Sequence, residues 1–332
     1  MSNILVVGGA GYIGSTVAAH LERAGHAVTV FDDLSHGHAE ALSAATKLVI
    51  GDVGHAASLD AVFGAGQFDV VMHFAGLIEA GESMKVPERY FRANSAGSLA
   101  LVEAMLRHGV CRLVFSSTAA LFGNPEHTPV DEDARKRPTN AYGSSKLLVE
   151  QMLPWMNHAH GLRFACLRYS NASGARGPDD GEDHHPETHI IPLVLKTALG
   201  ERGSISVFGS DYPTPDGTCV RDYVHVDDLA RAHLLAMGAL DERPMLYYNL
   251  GNAEGFSVRQ VIAAARDVTG HPIPVVEAPR RPGDPAKLVA SSARIREELG
   301  WRPEVPVLKD IIASAWEWHR RHPGGYDAKA KA

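Results

Sequence analysis

A glycine-rich stretch near the start of the chain, Val6–Gly14, constrains the fold more than any other part of the sequence. It follows the β-branched run Ile4–Val7 and leads into an apolar-periodic segment, a context that predicts a strand, a tight turn and a helix. Glycines let the backbone turn tightly, approach a pyrophosphate and pack against a helix without Cβ atoms in the way. The helix N-terminus then offers free N–H groups to phosphate oxygens. A glycine-rich turn that binds no ligand is the alternative interpretation.

The next apolar run favours a dinucleotide as the ligand of this turn. The run Ala27–Phe31 ends in Asp32, and a carboxylate at the end of a second strand suits a ribose 2′-hydroxyl. Because Asp32 would repel a 2′-phosphate, the predicted cofactor is NAD rather than NADP.

Length and composition exclude several other classes of protein. A chain of 332 residues is long enough for two domains, and its net charge of −7 gives no basic surface for nucleic acid or an anionic membrane. Cys111, Cys166 and Cys219 have no paired spacing, which predicts a reducing compartment and neither a disulfide framework nor a zinc ribbon. Without a charged-then-apolar leader or a long uncharged apolar run, the chain is predicted to be cytoplasmic.

Strands and helices alternate along the first half of the chain. Strands are predicted at Lys47–Ile50, Asp69–Phe74 and Arg112–Phe115, with a helix between Glu88 and His108. This alternation predicts an α/β fold with a Rossmann-type, doubly wound parallel sheet that is covered on both faces. Ligands of such a sheet bind at the carboxyl ends of its strands. The candidate residues at those ends are Asp32, Asp52, Ala75 and Ser116–Thr118.

The second half has a different composition and predicts a smaller α/β domain that binds the substrate. Its first part, 171–186, is rich in Gly, Pro, Asp and His, as is typical of a loop that covers a site. The further predicted elements are a helix at Ile190–Leu199, a strand at Ser206–Phe208, a segment Val220–Val226 leading into a helix through Leu235, a strand at Pro272–Val276 and a helix at Val307–Trp316. We therefore expect an NAD-binding domain at 1–170, to which the chain returns near 220–237, and a substrate-binding domain at 171–332.

Tyr142 and Lys146 are the candidate catalytic pair. They lie four residues apart at the start of a predicted helix, so both side chains share one helical face. A tyrosine with a pKa of about 10 is a poor base at neutral pH, and lowering it by roughly three units requires about 4 kcal/mol. A nearby ammonium and a positively charged nicotinamide ring can supply this stabilisation. An ordinary tyrosine and lysine on a helix is the alternative, but Ser116–Thr118 offers a hydroxyl to the same substrate oxygen.

Together with the glycine-rich turn, this pattern resembles the extended short-chain dehydrogenase/reductases, and more closely the UDP-glucose 4-epimerase family. The resemblance spans nearly the whole chain, and its later motifs are specific to that family. The motifs, in the family's order, are His73–Gly76, Gly81–Ser83, Ser116–Ala119, Tyr142–Lys146, Leu167–Tyr169, Asp211–Thr214, Asp216–Tyr223 and Arg280–Asp284.

The resemblance implies reversible epimerisation of UDP-galactose and UDP-glucose at C4, through a 4-keto intermediate with transient reduction of bound NAD. It implies that Tyr142 is the acid/base. Lys146 would then lower the pKa of Tyr142 and bond the nicotinamide ribose, and Thr118 would bond the 4-oxygen of the sugar. It also implies a homodimer through helices around residues 88–108 and 142–158, the second of which Pro154 is expected to shorten.

The resemblance further implies two sets of binding residues. The cofactor set is Gly8, Gly11, Tyr12, Ile13, Gly14, Asp32, Asp52, Val53, Phe74, Ala75, Gly76, Asn94, Ser116, Tyr142, Lys146 and Tyr169. The substrate set is Thr118, Asn171, His189, Ile190, Phe208, Arg221, Arg281 and Asp284. Two arginines in a net-acidic protein suit bidentate binding of a diphosphate.

This chain departs from the family pattern at positions that bear on fine specificity. They are Ile78, Phe122, Ser170 and Ser291, and Leu288 occupies a place where the family varies a gating residue. UDP-N-acetylhexosamine or UDP-glucuronate therefore remain alternative substrates.

Three other interpretations compete with epimerisation. A nucleotide-sugar 4,6-dehydratase needs an Asp-Glu pair where this chain has Ala119 and Ala120, and a non-catalytic NAD-binding regulator would not need the Thr118, Tyr142 and Lys146 set. A metal site at the histidines of the 184–189 segment is disfavoured because Pro186 breaks their helical spacing. We therefore expect a surface loop there and no metal.

Overall fold

The computed structural model describes residues 1–281 and 283–326; Pro282 and the last six residues of the predicted second domain lie outside them. The strands of the described part are β1 Asn3–Val7, β2 Ala27–Asp32, β3 Lys47–Ile50, β4 Val70–His73, β5 Arg112–Ser116, β6 Arg163–Arg168, β7 Ala172–Ser173, β8 Ile205–Phe208, β9 Val220–Arg221, β10 Val224–His225, β11 Met245–Asn249, β12 Phe256–Ser257, β13 Val275–Ala278 and β14 Lys287–Leu288. The α-helices are α1 Tyr12–Arg23, α2 Ala56–Ala65, α3 Ala80–Ser83, α4 Pro87–Tyr90, α5 Gly97–Arg107, α6 Ala141–His160, α7 Ile190–Ala198, α8 Val226–Ala239, α9 Val258–Thr269, α10 Ala293–Leu299 and α11 Leu308–Arg321.

Seven parallel strands form the central sheet in the order β11-β6-β5-β4-β1-β2-β3. Alternate residues of β1 point to opposite faces, and both faces are buried. One face packs against α1 and α8, and the other packs against α2, α5 and α6. The predicted Rossmann-type doubly wound fold is therefore confirmed.

The helix predicted between Glu88 and His108 is interrupted. The structure has α4, then a wide π turn at Phe91–Ala96, and then α5. The π turn carries Asn94, whose side-chain Oδ1 accepts a 2.8 Å bond from Leu77 N and whose Nδ2 donates a 3.0 Å bond to Leu77 O. This long-range pairing is invisible to helical periodicity, which explains the error.

The prediction that Pro154 shortens the second helix is wrong. Helix α6 runs for 20 residues from Ala141 to His160 with Pro154 inside it. A proline costs a helix one hydrogen bond and about 3 kcal/mol. The neighbouring Val149 and Leu153 are buried in the core under the sheet, and we attribute the persistence of the helix to this packing.

The second half of the chain contributes to two regions. Helices α7, α9 and α11 enclose a separate core beside the small sheets β8-β13 and β12-β9-β14. The chain also returns to the first sheet, where α8 packs on α1 and β11 pairs with β6. Strand β11 was not predicted, and the late strand predicted at Pro272–Val276 lies instead at Val275–Ala278.

Candidate active site

The glycine-rich turn closes tightly over the carboxyl ends of β1 and β4. Gly8 has φ +75°, and a Cβ there would lie 2.3 Å from Ala75 N. A Cβ on Gly14 would lie 2.2 Å from Gly8 O. Backbone N–H groups at the start of α1 are therefore open to a ligand without intervening side chains, a cradle that fits the pyrophosphate of a dinucleotide.

Asp32 ends β2 beside this cradle. Its Oδ2 accepts a hydrogen bond from Ala10 N and its Oδ1 accepts one from Leu34 N, each at 2.9 Å. Burial raises the pKa of Asp32, while the two backbone bonds oppose that shift. The carboxylate is thus fixed against the glycine-rich turn, where the sequence predicts a ribose contact.

The other predicted cofactor residues lie around the same edge of the sheet. A Cβ on Gly76 would lie 2.7 Å from Asn94 Oδ1 and 3.5 Å from Lys146 Nζ, so these three residues meet. Ser116 Oγ lies 2.5 Å from Tyr169 Oη. The remaining members follow strands of the sheet or begin the first helix: Gly11 caps α1, Tyr12 and Ile13 open it, Asp52 and Val53 follow β3, and Phe74 and Ala75 follow β4.

Tyr142 and Lys146 lie in the first turns of α6, as the spacing predicts. The helix begins because Asn140 Oδ1 accepts a 2.8 Å bond from Gly143 N. Lys146 Nζ donates a 3.0 Å hydrogen bond to Ser116 O and lies 4.9 Å from the Phe115 ring centroid. Burial lowers the pKa of Lys146 to about 8. The ammonium thus lies at the end of β5.

Thr118 and Tyr142 lie close enough for the Thr118 hydroxyl to affect the phenol. Burial raises the pKa of the Tyr142 phenol, the hydrogen bond with Thr118 lowers it, and the negative charge of Glu79 raises it. The Thr118 side chain also accepts a 3.1 Å bond from Ala120 N, which caps a short 3₁₀ turn and fixes the hydroxyl. A base at Tyr142 therefore needs positive charge nearby to offset its burial.

Apart from Thr118, the predicted substrate residues form two groups in the second half of the chain. Arg221 Nη2 lies 3.7 Å from Asp284 Oδ1, and the Arg281 guanidinium carbon lies 3.9 Å from the centroid of the Phe208 ring. Burial raises the pKa of the Cys219 thiol, and among the weaker influences Arg221 and Arg281 lower it and Asp284 raises it. The other group is Asn171, His189 and Ile190, which line one cavity.

Two features of the site were missed at the level of sequence. Arg168 and Glu150 form a buried ion pair at 2.6 Å, and Ser117 Oγ donates a 2.6 Å bond to the same carboxylate. The only sign of this ion pair in the local sequence is Glu150 itself, one helical turn after Lys146. The loop at 182–189 is also not simply a surface loop, because Glu182 and Asp183 are buried and His189 Nδ1 lies 3.0 Å from Glu182 Oε1.

Comparisons with known proteins agree with this geometry. Residues 4–251 match the model of the NAD dependent epimerase/dehydratase family. A UDP-glucose 4-epimerase of Halalkalibacterium halodurans is 49% identical over 331 residues, covering 99% of this chain and 98% of the relative. The corresponding protein of Streptomyces lividans is 52% identical over 325 residues, covering 97% and 98%. The crystal structure of UDP-glucose 4-epimerase from Bifidobacterium longum in complex with NAD+ and UDP is 37% identical, with a TM-score of 0.94 and coverage of 98% and 100%.

The chain belongs to the NAD dependent epimerase/dehydratase family. Within that family, these full-length relatives are UDP-glucose 4-epimerases, so the resemblance drawn from the motifs is confirmed. The NAD dependence of the family confirms the predicted cofactor, and neither the dehydratase nor the regulator alternative is favoured. In the part of the chain that the structure describes, no helix has the length and apolarity needed to span a membrane.

Proposed function

We propose that this chain catalyses the reversible interconversion of UDP-galactose and UDP-glucose by inverting C4. The observation that carries the proposal is the contact between Thr118 and Tyr142 beside the buried Lys146, in a chain that aligns over 99% of its length with a UDP-glucose 4-epimerase. The enzyme is then an NAD-dependent isomerase.

Tyr142 is the group that moves the proton. Its phenolate accepts the proton of the sugar 4-hydroxyl and later returns it, while Thr118 holds the 4-oxygen by a hydrogen bond. Because burial disfavours the phenolate, Lys146 supplies the positive charge that offsets this penalty and bonds the nicotinamide ribose. NAD, when bound, supplies the acceptor for the hydride that leaves the sugar carbon.

Cofactor binding is assigned to the edge of the sheet at the glycine-rich turn. The crowding at Gly8 and Gly14 supports close approach of the pyrophosphate, and Asp32 supports recognition of an unphosphorylated ribose. The remaining proposed contacts are Gly11, Tyr12, Ile13, Asp52, Val53, Phe74, Ala75, Gly76, Asn94, Ser116, Tyr142, Lys146 and Tyr169.

The uridine diphosphate is assigned to the second half of the chain. Arg221 and Arg281 offer planar, bidentate donors to phosphate oxygens, and the charges of both lower the pKa of the same Cys219 thiol. The other proposed contacts are Asn171, His189, Ile190, Phe208 and Asp284. We accordingly propose an NAD-binding domain at 1–170, to which the chain returns near 220–237, and a nucleotide-sugar-binding domain in the rest of 171–332.

A homodimer in the cytoplasm completes the proposal. Exposed apolar side chains on α5 and α6 support an interface there, since Leu99, Leu148 and Trp155 all face solvent and Trp155 is 72% exposed. Burying such side chains against a second copy removes apolar surface from water. The cytoplasmic assignment rests on the cysteine pattern.

Turnover of UDP-galactose, UDP-N-acetylgalactosamine and UDP-glucuronate, measured side by side, tests the assignment. We expect UDP-galactose to be converted fastest, and dTDP-glucose to give no 4-keto-6-deoxy product. Purified protein that holds NAD but leaves UDP-galactose unchanged would overturn the proposal.

A further inference from the structure

We propose that the segment before α7 binds one zinc ion through Glu182, His184, Glu187 and His189, a set we call the 182–189 cluster. One ligand atom from each of these side chains lies within 4.8 Å of all the others. The cluster lies outside the Tyr142 site, and the proposal does not depend on the proposed function.

The separations within the cluster are close to those of a tetrahedral metal site. His189 Nδ1 lies 3.0 Å from Glu182 Oε1. His184 Nδ1 lies 3.3 Å from Glu182 Oε1 and 3.8 Å from Glu187 Oε2. Zinc–ligand bonds of about 2.0–2.2 Å at tetrahedral angles require ligand atoms roughly 3.3–3.6 Å apart. Small side-chain rotations are therefore enough to seat the ion.

Two atoms of the cluster lack hydrogen bonds, although they are buried. They are His184 Nδ1 and Glu187 Oε2, and the Glu187 side chain is only 5% exposed. The other oxygen of Glu187 accepts bonds from Thr188 N and His189 N, each at 2.7 Å, which fix the direction of the carboxylate. Buried polar atoms are normally satisfied, and a cation between these two would satisfy both.

Charge and ligand chemistry also favour zinc. Two carboxylates and two neutral imidazoles carry a charge of −2, which a divalent cation balances in a buried setting. Without a metal, the cluster is neutral only if both histidines are protonated. The competing interpretation is therefore that the histidines and glutamates form two ion pairs and bind no metal. Imidazole nitrogens are poor ligands for magnesium and calcium but good ligands for zinc.

The geometry assigns the ion a structural role. Four protein ligands leave no open position, as is typical of structural zinc. The His184 ring contacts Tyr12 of the glycine-rich turn edge to face, with centroids 6.4 Å apart, and His189 is the N-cap residue of α7. The ion would therefore hold the start of α7 against the start of α1. His189 would bind the metal through its side-chain Nδ1, so the backbone at His189–Ile190 stays available to contact the nucleotide.

His185 provides a matched control in the same loop. Its side chain is 59% exposed and faces Asp183 at 3.4 Å instead of entering the cluster. Histidine spacing alone makes His185 a candidate ligand. In the structure, the cluster contains Glu182 and Glu187 and does not contain His185. The variant His185→Gln removes one histidine from the segment without touching a proposed ligand.

Metal content and metal affinity of the untagged, full-length protein test the proposal. We expect one zinc per chain by elemental analysis, or its uptake when chelator-treated protein is titrated with Zn²⁺, and the absorption spectrum of tetrahedral Co²⁺ after substitution. His184→Gln and Glu187→Gln are each expected to raise the Kd for Zn²⁺ by about 100-fold or more, since even indirect ligand partners contribute 10- to 100-fold. His185→Gln should leave it unchanged.

The competing description makes the opposite prediction. If wild-type protein binds neither Zn²⁺ nor Co²⁺, or gives no tetrahedral Co²⁺ spectrum, the cluster consists of ion pairs only and the proposal is overturned. Equal loss of affinity in His185→Gln and Glu187→Gln would also overturn it. The wild-type spectrum decides the question even if a ligand variant fails to fold.

Discussion

Arg168 and Glu150 face each other across the boundary between β6 and α6, with Nη2 to Oε2 at 2.6 Å and Nε to Oε1 at 2.9 Å. Both side chains are almost fully buried, at 2% and 3% exposed. Glu150 also accepts the Ser117 hydroxyl, so one carboxylate connects the helix of Tyr142 to the strand end that precedes Thr118. The relative position of Tyr142 and Thr118 therefore depends on a buried ion pair that contains neither of them.

Glu150→Gln is expected to lower the free energy of unfolding by about 3–5 kcal/mol, because it leaves the Arg168 charge buried and uncompensated. Chemical denaturation followed by circular dichroism measures the loss. Glu317→Gln is the matched control, since Glu317 pairs with Arg320 and Arg321 on the surface. That variant is expected to unfold like wild type. Equal effects of the two substitutions would contradict this interpretation.

Tyr142→Phe is expected to lower kcat for UDP-galactose by about 10²- to 10⁴-fold, because the ring remains but the proton-transferring hydroxyl is lost. Bound NAD, measured after denaturing the protein, should stay at the wild-type level. Tyr248→Phe removes a hydroxyl that bonds Glu298, two residues in neither proposed binding set, and it should retain full turnover. Near-normal kcat in Tyr142→Phe is incompatible with the proposed mechanism.

The pH dependence of turnover reports on Lys146. Burial lowers its pKa to about 8, so the side chain loses its positive charge as the pH rises through this value. Because the charge favours the Tyr142 phenolate, we expect wild-type kcat to fall above about pH 8. Lys146→Arg keeps a charge that does not titrate in this range and should lack the decline, whereas Lys146→Met should be slower by at least about 100-fold at pH 7. A decline that persists unchanged in Lys146→Arg would assign it to another group.

Cofactor choice is predicted to depend on Asp32. Replacement by serine removes the carboxylate that would repel a 2′-phosphate, and we expect the affinity ratio of NADP to NAD to rise by about tenfold or more. Binding titrations of cofactor-free protein measure this ratio. Asp33→Ser, at the exposed neighbouring aspartate, is the control and should leave the ratio unchanged. If both variants shift the ratio equally, the preference does not arise from Asp32.

The sequence predicted the parts of the molecule that local spacing controls. Neighbouring residues in the sequence determine the geometry of the turn at Val6–Gly14 and the four-residue spacing of Tyr142 and Lys146. The π turn at Phe91–Ala96 escaped prediction because its Asn94 bonds Leu77, 17 residues away. Strand β11 escaped because its five residues become a strand only beside β6.

The same distinction applies to the 182–189 segment. Histidine spacing treats it as an isolated loop, and Pro186 then argues against a shared helical face. In the folded chain, the carboxylates of Glu182 and Glu187 bring His184 and His189 together without any helix. Convergence of this kind depends on the path of the backbone, which residue spacing alone does not determine.

The return of the chain through β11 makes the two halves inseparable. A fragment ending after Tyr169 would expose the full hydrogen-bonding edge of β6, and α1 would lose the apolar face of α8 that covers it. Such an edge is a template for pairing between molecules, so the fragment would be prone to aggregation. The central sheet is thus completed by β11, a strand that is synthesised some 75 residues after β6.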